Sequence, residues 1–211
     1  MKKKLYLYAV FLLVLFVLWT AAVCFVDVEP IGPGGTSVGF AAFNSYFHAL
    51  TGVHWPLYVL TDWLSLIPLS AVAGFGLLGL MQWMQRKSIR KVDRSLLALG
   101  GFYVLLMAAY VFFECFPVNY RPVLIGDALE ASYPSSTTML TIGVMSTEIL
   151  QLRERIRSKR IRDAALFLLR CFTAFMVLGR LLSGVHWLSD IIGGALLSAG
   201  LVALYAAMES E

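Results

Sequence analysis

The sequence predicts an all-α protein, a bundle of six transmembrane helices with both termini cytoplasmic. The chain has 211 residues, of which 59% are hydrophobic and 14% are charged, a balance far from that of soluble proteins. Six apolar segments are long enough, or nearly so, to cross a bilayer. The positive charges between them fall almost entirely where one threading of the chain puts them on a single side of the membrane.

The six apolar segments are residues 5–26, 63–83, 96–113, 135–150, 164–182 and 188–208. Most of them reach the roughly 20 apolar residues that a spanning helix requires. The first follows three lysines, as a signal peptide does, but its apolar run exceeds the roughly 7 to 15 residues of a secretory core, so we expect a retained anchor. The fourth is short and carries Glu148, yet its neighbours leave it no other place than the bundle.

Positive charge sets the expected topology. Of the 17 lysines and arginines, 14 lie in residues 2–4, 86–94 and 153–162. Six spans put these three clusters on one side, which the positive-inside rule makes cytoplasmic. This placement accounts for the net charge of +4 without a nucleic-acid partner. We expect an integral protein of a bacterial plasma membrane.

Two of the remaining arginines fall on the opposite, outer face, and one of them opens a polar stretch. Residues 179–194 read GRLLSGVHWLSDIIGG and contain Arg180, His186 and Asp190. Asp190 lies one helical turn after His186, on the same face. A carboxylate there would accept the Nδ1 proton and leave Nε2 as a nucleophile or base. The alternative is an interfacial histidine with an aspartate that caps the start of a helix, and the triplet alone leaves both interpretations open.

The Gly-Val-His-Trp sequence that contains His186 also occurs at residues 52–55. Its histidine, His54, has Tyr58 rather than a carboxylate one turn later. We therefore do not expect His54 to be catalytic.

A second outer segment carries further anion-binding groups. Arg121 precedes a proline, and Ser135 and Ser136 stand where the fourth helix should begin. The first turn of a helix offers unpaired backbone N–H groups, and guanidinium groups match phosphate oxygens. Simple N-capping by the serines is the alternative. Together with the His-Asp pair, these groups converge on a phosphate ester.

With these motifs the sequence resembles the type 2 phosphatidic acid phosphatases, which are related to the vanadium haloperoxidases. The family pattern is Lys, six residues, Arg-Pro; then Pro-Ser-Gly-His; then Ser-Arg, five residues, His, three residues, Asp. Arg121-Pro122, Pro134-Ser135 and Arg180, His186 and Asp190 occur here in that order, so the motif region spans residues 114–194.

The resemblance implies roles for these residues. His186 would attack phosphorus to give a phosphohistidine, and Asp190 would orient it. The phosphate would be held by Arg121, Arg180, Ser135 and the amide of Ser136. Neither a metal nor another cofactor is implied.

Two departures from the family pattern bear on the chemistry. The family lysine is replaced by Glu114, and the histidine that protonates the leaving oxygen is replaced by Thr137. Thr137 cannot act as an acid at neutral pH, because a hydroxyl does not titrate there. Glu114 would repel a phosphate, so we expect it to turn away, to pair with Arg121, or to be protonated.

We expect one integral membrane phosphatase-like domain over residues 1–211, acting at the outer face on a lipid phosphate. In a lipid diphosphate of the polyprenyl type the leaving group is a lipid monophosphate, which needs little protonation in order to leave. Such a diphosphate is therefore the expected substrate for a site that lacks the acid. The alternative is a catalytically impaired homologue that binds, senses or transports a lipid phosphate. The expected partners are the lipid substrate and the bilayer.

Overall fold

The computed structural model describes residues 2–210, and the all-α prediction is confirmed for them. The helices are α1 (Lys2–Phe25), α2 (Ala41–Thr51), α3 (Trp55–Leu64), α4 (Leu66–Arg86), α5 (Arg94–Cys115), α6 (Ser136–Arg155), α7 (Lys159–Leu182) and α8 (Leu188–Glu209). Within residues 2–210, β-type backbone pairing occurs only as isolated bridges.

Five helical stretches of the described chain are long and apolar enough to cross a membrane. They are α1, α3 with α4, α5, α7 and α8. Each coincides with a predicted apolar segment. The fourth predicted segment forms α6, which is less apolar than the others. The count of six spans and the cytoplasmic position of the termini stay predictions.

The polar character of α6 follows from its place in the bundle. It packs against α4, α5, α7 and α8, so much of its surface faces protein. Thr138, Thr141 and Thr147 are buried, and the Thr147 hydroxyl donates to the Gly143 carbonyl at 3.0 Å. Small and hydroxyl-bearing side chains suit helices that pack closely inside a membrane bundle.

A proline separates α3 from α4. Pro68 lies in the first turn of α4, and its ring would clash with the Leu64 carbonyl, four residues earlier, in a continuous helix. The chain therefore breaks at Ser65, which keeps helical backbone angles. The break allows α3 to lie against the end of α7, where it contacts the candidate site.

Helix α8 is the most buried of the apolar helices and packs along α1. Glycines permit the close approach. A Cβ on Gly200 would lie 2.7 Å from Leu13 Cδ2 in α1, and one on Gly193 would lie 2.6 Å from the Tyr133 ring. Real Cβ atoms do not come so close, so a larger residue at either position would force its neighbour to shift.

The connection between α5 and α6 folds back on itself and carries much of the site. The Ser132 N–H donates to the Asn119 carbonyl at 2.9 Å, and the Arg121 N–H donates to the Glu130 carbonyl at 3.1 Å. The turn lies at Gly126, whose φ of 60° is in the left-handed region that favours glycine. We call this segment, residues 116–135, the outer hairpin, after the outer side on which the topology expected from the positive charges places it. It brings the side chains of Asn119, Arg121 and Ser132 to the start of α8.

Candidate active site

His186 lies in the short connection between α7 and α8 and is 3% exposed. Gly184, with a φ of 69°, makes the turn after α7. The ring is held by the outer hairpin: His186 Nδ1 lies 2.9 Å from the Ser132 hydroxyl, which in turn donates to Asp190 Oδ2 at 2.6 Å. Because the hydroxyl hydrogen is directed to the carboxylate, Ser132 accepts the proton of Nδ1. The lone pair of the ring then lies on Nε2.

The direct hydrogen bond expected between His186 and Asp190 is replaced by this bridge. Nδ1 and Asp190 Oδ2 are 3.9 Å apart, beyond hydrogen-bond distance. The prediction was wrong in this detail because the one-turn spacing sets a common face but does not set the distance between side chains. Asp190 still orients His186, through the hydroxyl of Ser132.

Asp190 is fully buried and collects several donors. Beside Ser132, its oxygens accept from Asn119 Nδ2 at 3.1 Å, from the Trp187 N–H at 3.0 Å and from the Ser189 hydroxyl at 3.4 Å. The bond from Trp187, the residue before α8, is the helix-capping contact considered as the alternative role. The same carboxylate therefore caps α8 and anchors the Ser132 bridge.

Arg121 lies on the other side of the imidazole and is 7% exposed. Its Nη1 donates to His186 Nε2 at 3.2 Å, and its Nε forms an ion pair with Glu130 Oε2 at 3.0 Å. Glu114 is exposed and is not its partner, so of the three outcomes expected for Glu114 the structure shows that it turns away. The carboxylate that balances Arg121 comes from the opposite arm of the hairpin.

Arg180 lies in the last turn of α7 and is 2% exposed. Its guanidinium group contacts three residues of α3. Nη1 donates to the Tyr58 carbonyl at 3.3 Å and to the Thr61 hydroxyl at 3.2 Å, and Nη2 lies 3.4 Å from Asp62 Oδ1. The guanidinium carbon is 4.6 Å from the centre of the Tyr58 ring, a cation–π distance. Its Nε is buried without a hydrogen-bond partner among the described residues.

Arg121 and Arg180 both line a cavity of about 320 Å³ that is formed by residues of α3 to α7 and of the outer hairpin. One part of its wall is polar and the rest is apolar. The polar part comprises Asp62, Ser65, Arg121, Ser136, Thr137 and Arg180, and the rest comprises Leu69, Val72, Tyr103, Leu106, Met107, Tyr110, Met139 and Leu140. Leu69 and Met107 are also exposed on the outside of the bundle. The cavity therefore suits a molecule with an anionic head and an apolar body.

The serines at the start of α6 divide between two roles. Ser135 is fully buried, and its hydroxyl accepts from the Thr138 N–H at 3.4 Å as an N-cap. It does not line the cavity, so the alternative of simple N-capping describes its side chain. Ser136 and Thr137 both line the cavity. The part of this helix start that lines the cavity thus begins at Ser136, one residue later than expected.

Helix α2 holds the histidine segment from outside. Asn44 is fully buried and donates to the Ser189 hydroxyl at 2.9 Å, while the Ser189 N–H donates to Asn44 Oδ1 at 3.1 Å. His48 Nε2 lies 3.1 Å from the Gly184 carbonyl. The two contacts flank His186 on either side in sequence.

The two Gly-Val-His-Trp segments lie against each other. A Cβ on Gly184 would collide with the Gly52 carbonyl oxygen. The His54 N–H donates to the Ser183 carbonyl at 2.9 Å, and its ring contacts the Thr51 carbonyl on the exposed side. The repeat therefore forms a backbone contact, and His54 remains outside the candidate site.

The environment of His186 favours the neutral ring. Burial holds the pKa of the His186 imidazole well below its usual range, and the positive charges of Arg121 and Arg180 lower it further. The hydrogen bond with Ser132 acts in the opposite direction. Burial and the two like charges dominate, so the imidazole is neutral at pH 7 and Nε2 keeps its lone pair.

Sequence reasoning missed Ser132, Asn119 and Glu130. The available signal was Gly126-Asp127 between two short segments, a dipeptide typical of hairpin turns. A hairpin centred there places the residues near 119 opposite those near 132. No cluster of three or more histidine, cysteine, aspartate or glutamate side chains that could hold a metal ion occurs among residues 2–210.

Fold and site together are those of a helical membrane protein with a buried histidine beside an arginine-lined cavity. Residues 113–211 match the PAP2 superfamily, which confirms the resemblance to the type 2 phosphatidic acid phosphatases. The whole fold is similar to a crystal structure described as the first transmembrane PAP2 type phosphatidylglycerolphosphate phosphatase from Bacillus subtilis. The TM-score is 0.61, with 17% sequence identity over 95% of each chain. No curated protein matches the sequence.

Proposed function

We propose that the protein is a membrane lipid phosphatase that uses His186 as its nucleophile. The observation that carries this proposal is the His186–Ser132–Asp190 chain of hydrogen bonds, with distances of 2.9 and 2.6 Å. It fixes the proton on Nδ1 and leaves the Nε2 lone pair against Arg121, which lines the cavity, whereas His186 itself lies behind Arg121 and does not line it. A neutral, oriented imidazole next to an anion site is what attack on phosphorus requires.

The proposed reaction has two steps. His186 Nε2 attacks phosphorus, the bond to the leaving oxygen breaks, and a phosphohistidine forms. Water then cleaves the phosphorus–nitrogen bond and releases phosphate. Arg121, Arg180 and the N–H groups at the start of α6 stabilise the charge on the phosphoryl oxygens, and the mechanism uses no metal.

Arg121 has to move for this reaction to begin. Its Nη1 donates to the lone pair that would attack, at 3.2 Å. A phosphate is a stronger acceptor for a guanidinium than a neutral ring nitrogen, since it carries negative charge. Substrate would therefore draw Arg121 off Nε2 and free the nucleophile as it binds.

The cavity favours a lipid substrate, because an apolar wall adjoins the polar part. Thr137 lines the cavity where the family has an acidic histidine, so the leaving group receives little protonation. A lipid alkoxide is a strongly basic leaving group, whereas a phosphate monoester leaves with a second pKa of about 6. A lipid diphosphate such as a polyprenyl diphosphate is therefore the preferred substrate, with a lipid monophosphate as product.

The site lies at the end of the bundle opposite the basic loops. Residues 86–94 and 153–162 approach each other at that far end, where Arg155 lies 3.9 Å from Asp93. The positive-inside rule then makes the site extracytoplasmic. We further propose that the whole chain, residues 1–211, acts as one domain, because α1, α3 and the outer hairpin all contribute to the surroundings of the site.

Phosphate release from purified protein tests the proposal. The panel contains a polyprenyl diphosphate, the matching monophosphate, phosphatidic acid and phosphatidylglycerol phosphate, each in the same detergent. We expect the fastest release from the diphosphate. Faster release from the matching monophosphate would contradict the diphosphate preference, and no release from any of the four would contradict the enzyme.

The second candidate function is binding or transport of a lipid phosphate without turnover. Two contacts favour it: Arg121 covers Nε2, and Arg180 donates to α3. His186→Ala distinguishes the two functions when binding and turnover are both measured. An enzyme loses turnover, whereas a binding protein has none to lose and keeps its affinity.

A further inference from the structure

The second step of the proposed reaction needs a base, and Thr137 cannot supply one. Water attacks a phosphohistidine efficiently when a neighbouring group accepts its proton. A threonine hydroxyl does not accept a proton at neutral pH. Glu114, which stands at the position of the family lysine, is exposed and does not line the cavity.

Asp62 is the carboxylate of this cavity. It lies near the end of α3, and among the described residues that line the cavity it alone carries an acidic side chain. Its side chain lines the cavity and is 57% exposed, so the carboxylate is not enclosed by protein. Nothing in the family pattern corresponds to it, since α3 lies outside the motif region.

Arg180 orients Asp62. Its Nη2 lies 3.4 Å from Oδ1 of the carboxylate, and Thr61, one residue before Asp62, accepts from Nη1 of the same guanidinium. A carboxylate can accept a proton from water, and the neighbouring guanidinium holds this one in place. The ion pair engages Oδ1, so Oδ2 is the oxygen available to water.

A carboxylate in a phosphate site also has a cost, since like charges repel. Arg180 offsets this repulsion, because it stands next to the carboxylate and lines the same cavity. An uncompensated anion would weaken substrate binding without any gain. Its pairing with an arginine of the same cavity therefore allows a carboxylate to lie near a phosphoryl group.

We infer that Asp62 is the general base that hydrolyses the phosphohistidine, an inference that rests on the proposed function. Asp62 takes a proton from water, the water oxygen forms a bond to phosphorus, and the phosphorus–Nε2 bond breaks. Its electron pair returns to His186, and inorganic phosphate leaves. The first step needs no base, because the imidazole is neutral, and needs little acid when a phosphate monoester leaves.

The test uses Asp62→Asn with farnesyl diphosphate as the probe, in rapid-quench experiments on the full chain in detergent. Formation of farnesyl monophosphate should show a burst of about one per active site, followed by steady-state turnover reduced by about 10²- to 10⁴-fold. Mass spectrometry should find the phosphoryl group on His186. Hydroxylamine, a nucleophile that needs no base, should speed its removal.

Glu130→Gln is the matched control, because it removes the carboxylate that pairs with the other arginine, Arg121. It should not accumulate phosphorylated His186. Asp62→Glu should restore part of the steady-state rate. Thermal unfolding of each variant shows that the fold is retained.

The outcomes separate this inference from the proposed function. If Asp62→Asn slows the burst and the steady state equally, or changes neither, Asp62 is not the base, whereas the nucleophile stands. If wild-type protein and Asp62→Asn both turn over without ever carrying phosphate on His186, the proposed function itself fails.

Discussion

Replacing Ser132 by alanine tests the hydrogen-bond chain that carries the proposed mechanism. The change removes the hydroxyl between His186 Nδ1 and Asp190 Oδ2, which otherwise are 3.9 Å apart. As Nε2 bonds to phosphorus, positive charge develops on the ring, and the Nδ1 proton needs an acceptor. Loss of a hydrogen bond to a charged group costs about 1.5 to 3 kcal/mol. That range corresponds to about a 10- to 150-fold decrease in kcat.

The assay is initial-rate phosphate release from a lipid diphosphate at saturating concentration, so that kcat and KM are separated. Ser189→Ala is the control, because its hydroxyl reaches the other oxygen of Asp190 at 3.4 Å and does not contact the ring. The control should lose much less activity. A Ser132→Ala protein that unfolds like the wild type and has the same kcat would refute the argument.

Three further predictions follow from the site and the packing. Thr137→His should raise the rate on a lipid monophosphate by up to about 10²- to 10⁴-fold relative to the diphosphate, measured as the ratio of the two kcat/KM values. Because burial keeps the pKa of His186 below its unfolded value, the unfolded chain binds the extra proton, and the free energy of unfolding should fall as the pH drops below about 6.5. This loss should be smaller in His186→Asn when Tm is compared at pH 7.5 and 5.5. Gly200→Ala should destabilise the protein by about 1 to 3 kcal/mol, since its Cβ would lie 2.7 Å from Leu13, whereas Gly74→Ala, with open space around it, should not.

The helical bundle was predictable because its physics is local in sequence. Length and apolarity define a spanning helix, and the predicted segments coincide with α1, α4 to α8 within a few residues. The second segment was predicted to start at residue 63, whereas helix already begins at Trp55. The missed part is α3, which the break at Ser65 before Pro68 separates from α4.

The site was predictable only in part. The spacing of Arg180, His186 and Asp190 put them on one end of the bundle, and the structure brings Arg121 to the same place. The roles of Ser132 and Asn119 depend on how the outer hairpin folds back, which is set by a turn at Gly126 and by contacts with α8. Such tertiary placement is not written in the local pattern of residue types.

Helix α2 links the surroundings of the protein to its chemistry. One face of α2 exposes Phe43, Tyr46 and Leu50. Asn44 and His48, on the same helix, contact residues on either side of His186 in the sequence. We expect this apolar face to lie at the membrane interface, as the apolar faces of interfacial helices do. We therefore expect the orientation of the His186 ring to depend on the membrane around α2, and phosphatase rates measured in micelles and in vesicles to differ.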